Sequence, residues 1–303
     1  MNRPSCRRRW RAWLGGVLAL TGLVLAQPRA LAQFPPSEPL RVPESNFPDG
    51  YGLKGGRYTF AATSPARTFH PFFSVGDPTS QQAAALAGVA RFPALLDGFF
   101  GEPIRLTGGM AASFEVELGV PDVRVVMRLR RGLRWSDGEA VDCQDVAFTV
   151  AAHTDPRYLQ ASGAAGLMVG GRLPGFACLD GEAFAFSFPA LVDVGPYLIQ
   201  LNGLTLLPQH AHQAAFDDGT LTQEGYWDAA FAGQHPERLV GAGPFRLNSG
   251  TPGRDWVFER NPYYWKVDGR DAQLPYFNAV RMVEVAAYGQ ALMGFRGGDL
   301  DKI

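Results

Sequence analysis

The chain has 303 residues, 46% hydrophobic and 19% charged. That is enough apolar content for one large or two medium domains, and it excludes a disordered chain or a small scaffold held by disulfides alone. Lys and Arg total 28 against 29 Asp and Glu, so no basic excess points to nucleic acid as a partner.

Residues 1–32 hold Arg3, Arg7, Arg8, Arg9, Arg11 and Arg29 and no acid. An apolar run follows the first five arginines, from Leu14 to Ala26, and Ala30-Leu31-Ala32 comes after it. The run is short for a bilayer span, and small residues stand where a signal peptidase cuts. The stretch therefore predicts a secretory leader cleaved after Ala32, with an extracytoplasmic product that has no stable membrane insertion; an uncleaved anchor is the alternative. Cys6 precedes the apolar run, so no lipid anchor is expected.

Residues 33–54 are polar, and Pro35, Pro36, Pro39, Pro43 and Pro48 predict a linker. Arg57 to Ala61 alternates and predicts a strand, followed by an aromatic-rich loop from Ser64 to Ser80. Gln81 to Phe100 predicts a helix in large part, with Leu86, Val89, Leu95 and Leu96 on an apolar face and Pro93 interrupting it. Ser113 to Arg130 predicts two strands around Gly119-Val120-Pro121. In the second, Val123, Val125, Met127 and Leu129 alternate with Arg124, Arg128 and Arg130. Trp135-Ser136-Asp137-Gly138 is turn chemistry, and Asp142 is placed to cap a helix carrying Val146, Phe148 and Val150, with Asp145 in its first turn.

Further on, Ala183 to Phe188 alternates as a strand, Leu198 to Leu207 is apolar, and Gly225 to Phe231 suggests a short helix. Phe245 to Leu247 and Asp255 to Glu259 predict strands paired across the Ser249–Gly253 turn. Val280 to Val285 predicts a last strand, with a helix starting near Gln290. Cys143 and Cys178 are compatible with a disulfide or with two separate thiols, since sequence alone does not bring their Cα atoms together.

Spaced segments then carry a family resemblance. Val125 to Glu139 (VVMRLRRGLRWSDGE) and the capped helix from Val141 to Thr149 resemble the signature of the extracytoplasmic solute-binding proteins of family 5, the peptide/nickel class serving ABC transporters. Cys143 replaces a small or acidic residue there. Thr68 to Ser74, Leu206 to His210, Val240 to Phe245 (with Ala242 in place of Thr), Asn261 to Trp265 and Leu274 to Tyr276 match further family elements in the same order.

The resemblance covers residues 55 to 303 and implies an α/β, periplasmic-binding-protein type II-like lobe with a mixed sheet. Residues 55–98 and 205–303 would form that lobe and residues 99–204 an inserted subdomain. The chain would stop before the second lobe, which implies weak solute binding by this chain alone and a tendency to self-associate. The implied function is capture of a peptide or similar small polar solute and its delivery to a membrane permease, with no cofactor. The loop after the first strand would face the solute, with Thr68, Phe69, His70, Phe72 and Phe73 as candidate contacts. Phe69, Phe72 and Phe73 are expected to form an exposed apolar patch. Trp135, Tyr264 and Trp265 are expected as core anchors.

Two other functions are open. His210-Ala211-His212 could offer imidazoles to a metal or metal chelate. A hydrolase would need a nucleophile and base, but the chain carries no Gly-x-Ser-x-Gly or His-Glu-x-x-His motif, no phosphate-binding Gly-rich loop and no CxxC pair, so no catalytic residue is assigned.

Overall fold

The computed structural model describes residues 39–47, 50–63, 65–66, 69, 96–99, 105–119, 122–158, 173–189, 193, 195–202, 206–221 and 229–302. In chain order the elements are β1 (Leu40–Arg41), β2 (Arg57–Ala62), β3 (Leu96–Phe99), β4 (Arg105–Gly108), β5 (Ala111–Glu117), β6 (Asp122–Leu129), α1 (Cys143–Thr154), β7 (Gly175–Cys178), β8 (Ala183–Pro189), α2 (Gly195–Asn202), α3 (Gln209–Asp217), α4 (Ala229–Gln234), β9 (Phe245–Thr251), β10 (Asp255–Arg260), β11 (Lys266–Val267), β12 (Ala279–Glu284) and α5 (Tyr288–Gly297). The expected strands at 113–130, 183–188, 245–259 and 280–285 are all present.

One antiparallel sheet has the order β5-β6-β8-β7. Alternation along β6 buries Val123, Val125, Met127 and Leu129 and turns Arg124 and Arg128 outward, as period-2 patterning dictates. Phe184, Phe186 and Phe188 of β8 add to the same core, whose apolar area is the main stabilising contribution of this half. Trp135 is fully buried there and Trp265 nearly so, while Tyr264 packs against the cluster half-buried.

The second sheet has the order β2-β12-β10-β9. β12 runs antiparallel to β10 but parallel to β2, from Arg57 opposite Ala279 to Ala62 opposite Glu284. The β9–β10 hairpin closes through Gly253, whose φ of +77° suits a residue without Cβ. Trp256, Phe258 and Met282 centre the second core. Helix α1 bridges both cores, with Cys143 and Val146 in the first and Phe148 and Ala152 in the second. Its start is capped as expected: the Asp142 side chain accepts the Gln144 amide at 2.7 Å, and Asp145 accepts the Asp142 amide at 3.1 Å.

Three expectations are refined. Leu96–Phe99 is a strand paired antiparallel with β4, not the end of a helix, because its cross-strand bonds hold the backbone extended. Residues 81–95 lie outside the described residues. The short helix expected at Gly225–Phe231 is found at Ala229–Gln234, with 222–228 outside the described residues.

The Pro-rich segment, expected as a linker free of regular structure, is strapped down over its described part. β1 pairs parallel with β11, and Arg41 donates to the Gly269 carbonyl at 2.8 Å and pairs with Asp271. Arg270 lies over the Tyr51 ring at 4.5 Å and donates to the Gly52 carbonyl. Behind the strap, the Asp268 side chain is sealed from solvent. Burial pushes its carboxyl up, but the Tyr276 hydroxyl (2.7 Å), the Ala272 and Arg270 amides and the Arg270 guanidinium outweigh it and hold the pKa at about 2. Cys143 and Cys178 form a disulfide, with Cα atoms 5.9 Å apart, which ties the start of α1 to edge strand β7.

Candidate solute-binding face

β2 and β12 run parallel and end together at Ala62 and Glu284, the kind of sheet edge where open α/β folds place ligands. Glu284 organises this edge. Its Oε1 accepts the Ala66 amide and the Trp256 indole N–H, each at 2.7 Å, and its Oε2 accepts the Gly253 amide at 2.6 Å. One carboxylate thus ties the chain leaving β2 to the β9–β10 hairpin. Three residues beyond Ala66, the Phe69 ring meets Trp256 edge-on, with centroids 5.0 Å apart.

Phe69 is therefore a correction. Expected on an exposed patch, it is 1% exposed and anchors the loop in the second core, because Trp256 and Phe258 offer it an aromatic socket. Thr68, His70, Phe72 and Phe73 lie outside the described residues. Glu284 was missed from sequence; a lone acid ending a strand carries no motif.

The sequence-distant motifs converge where the two sheets meet. Ser136 donates its amide to the Gly241 carbonyl at 2.7 Å, and the Gly241 amide returns a bond to the Ser136 hydroxyl at 3.2 Å. Arg246 donates to the Ser136 carbonyl and pairs with Glu259. Asn261, fully buried, donates to the Gly243 carbonyl at 2.8 Å. Asp145 accepts the Trp135 indole and the Gln209 amide; burial raises its pKa, and those two bonds with the Asp142 amide oppose the rise. A cavity of about 250 Å³ opens here, lined by Ser136, Asp137, Leu239, Arg246, Asn248 and Glu259. Arg246, the one cation of its lining among the described residues, is already paired, so the junction reads chiefly as the frame that fixes the sheets.

His210 and His212 do not form a pair. His210 is exposed, with Nε2 2.7 Å from Asp137 Oδ2, whereas His212 is 1% exposed. Two residues apart on α3, they project to different sides of the helix and do not converge on a metal. Among the described residues no helix is long and apolar enough to cross a membrane.

The family model for bacterial extracellular solute-binding proteins, family 5 (middle), matches residues 107–303. The chain belongs to this family. This family 5 protein is 27% identical over 270 residues to the peptidoglycan-binding protein YepA of Agrobacterium fabrum, a match that covers 84% of the chain and 39% of YepA. Solved structures share its fold, two of them as follows. The periplasmic binding protein MelB of Agrobacterium fabrum, in complex with stachyose, matches with a TM-score of 0.64 and 21% identity over 87% of this chain and 39% of its own. DppA of Helicobacter pylori, in complex with the peptide STSA, matches with a TM-score of 0.60 and 16% identity over 82% and 46% respectively. The family 5 chain thus has the α/β periplasmic-binding-protein type II architecture and spans less than half the length of these three relatives.

Proposed function

We propose that this chain supplies one lobe of an extracytoplasmic solute-binding component of an ABC transporter, with residues 55–98 and 205–303 as the lobe proper and 99–204 as its subdomain. The solute is a peptide or a peptide-bearing cell-wall fragment, and a permease is the partner. The observation that carries this reading is the family match over 107–303, joined to the YepA identity across 84% of the chain. The loop leaving β2 is proposed as the solute-facing element, with Thr68, His70, Phe72 and Phe73 as contacts and Phe69 as its core anchor. Glu284 holds the base of that loop, so solute affinity depends on it without direct contact.

Calorimetric titration tests the solute class, using di- and tripeptides, peptidoglycan fragments, stachyose and a nickel chelate. Heats saturating with a peptide or peptide-bearing fragment support the reading, and binding of stachyose or the chelate alone overturns the solute class. The compartment is tested separately. The exported product of the full chain is expected to begin at Gln33; export with Met1 retained would refute the leader.

A further inference from the structure

The Cys143–Cys178 disulfide is unevenly exposed. Cys143 is 1% exposed, the first residue of α1, and sits in the first core. Cys178 is exposed at the end of β7, whose one ladder partner among the described residues is β8. A surface pocket of about 260 Å³ opens over the bond, lined by Asp142, Cys143, Gln144, Cys178, Leu179 and Asp180. The Gln144 side-chain Nε2 donates to the Cys178 sulfur at 3.8 Å.

Thiol–disulfide exchange requires a thiolate to approach one sulfur while the other leaves, so access and leaving-group stability choose the sulfur attacked. Access decides here. The approach is open at Cys178, and the sulfur released is that of Cys143 at the amino end of α1, where the helix dipole favours a negative charge and offsets part of the cost of burial.

We infer that this disulfide is a thiol-exchange site, at which a small thiol entering the pocket forms a mixed disulfide with Cys178 and releases Cys143. The incoming thiolate's electron pair makes the new bond to the Cys178 sulfur. The Cys143–Cys178 bond breaks, and its pair leaves with Cys143 as a thiolate, balanced by the proton that the incoming thiol gave up. One disulfide replaces another, so no further oxidant or reductant is consumed. Attack by Cys143 on the Cys178 sulfur reverses the step. Two carboxylates line the pocket. Asp180 pairs with Arg128 at 2.9 Å, while Asp142 caps the Gln144 amide and has no cationic partner among the described residues. A thiol bearing an ammonium group is therefore preferred over one bearing a carboxylate. While the mixed disulfide lasts, the covalent tie between β7 and α1 is open, and the Cys143 amide bond to the Gly181 carbonyl at 2.9 Å is left to hold the start of α1 beside the β7–β8 turn.

The test uses the full chain with Cys6→Ser, so that the pair is the sole source of thiols. The native protein is treated with cysteamine, quenched in acid, alkylated and mapped by peptide mass spectrometry. Cysteamine on Cys178 with alkylated Cys143 is expected. Cysteamine mainly on Cys143, or adduct only after unfolding in urea, would overturn the inference. Gln144→Lys, at an exposed position, gives the second readout. It should reduce the rate ratio of cysteamine to 3-mercaptopropanoate by about threefold or more, as a charge placed a few ångströms from the attacked sulfur requires. An unchanged ratio would show that the thiol does not enter through this pocket.

Discussion

The Asp145 carboxylate accepts the indole N–H of Trp135 at 3.0 Å, and both side chains are buried. The same carboxylate takes the Gln209 amide at 2.8 Å, so one acid joins the signature turn, the start of α1 and the start of α3. Asp145→Asn keeps the shape but turns an N–H toward one of these donors. A loss of about 1–3 kcal/mol is expected, measured as a lower urea midpoint at unchanged slope.

Asp145 also sets a pH dependence. Burial raises its pKa in the fold, so between its ordinary pKa and the raised value the folded chain holds more proton than the unfolded one. Stability from this group therefore falls as pH rises through that window. Asp145→Asn should flatten that slope, and urea titrations across it would show no change if the carboxylate were unimportant.

Asp268 has the opposite sign. Its folded pKa of about 2 lies below the ordinary carboxylate value, so its contribution is complete above that ordinary value and is lost as pH falls toward 2. Tyr276→Phe removes one donor. It should move the acid transition to higher pH, cost about 1 kcal/mol, and raise proteolysis within residues 41–56, where the strap is held.

For Glu284, hydrogen exchange is the most direct measurement. Glu284→Ala removes the acceptor of the Ala66, Gly253 and Trp256 donors. Exchange at the Ala66 and Gly253 amides should accelerate, with a global loss of about 2–3 kcal/mol. Retained protection at Ala66 would show that Phe69 alone anchors the loop.

Replacing both disulfide cysteines by Ser opens a link between positions 35 apart in sequence. Chain-entropy arguments put the cost at about 3–4 kcal/mol, read from urea unfolding of the double variant against the oxidised parent.

Local signals in the sequence had different reach. The β5–β6 pair and the capped start of α1 were legible because alternation and an Asp before an apolar run act within a few residues. The parallel pairing of β2 with β12 leaves no local mark; the family resemblance implied only that residues 55–98 and 205–303 share one lobe. The burial of Phe69 was not legible, since an aromatic in a polar loop reads the same whether its ring turns in or out. Nor was the strap of residues 39–56, whose prolines break regular elements but do not prevent docking through Arg41 and Arg270. The disulfide was left open by the sequence and resolved only when α1 and β7 came together.

The pairing of β2 also imposes an order on assembly. Thr59 donates to Asp301, 242 residues further along the chain, and the other neighbour of β2 is β12. A chain emerging from its amino end presents β2 early, with these two edges unpaired until residues 279–301 have followed. Loop closure over such a span is slow, and an unpaired strand invites association with other chains in the interval. A holding factor that covers residues 57–62 during synthesis or export would protect this protein more than one acting on the β5–β6 hairpin, whose two strands meet as soon as they are made.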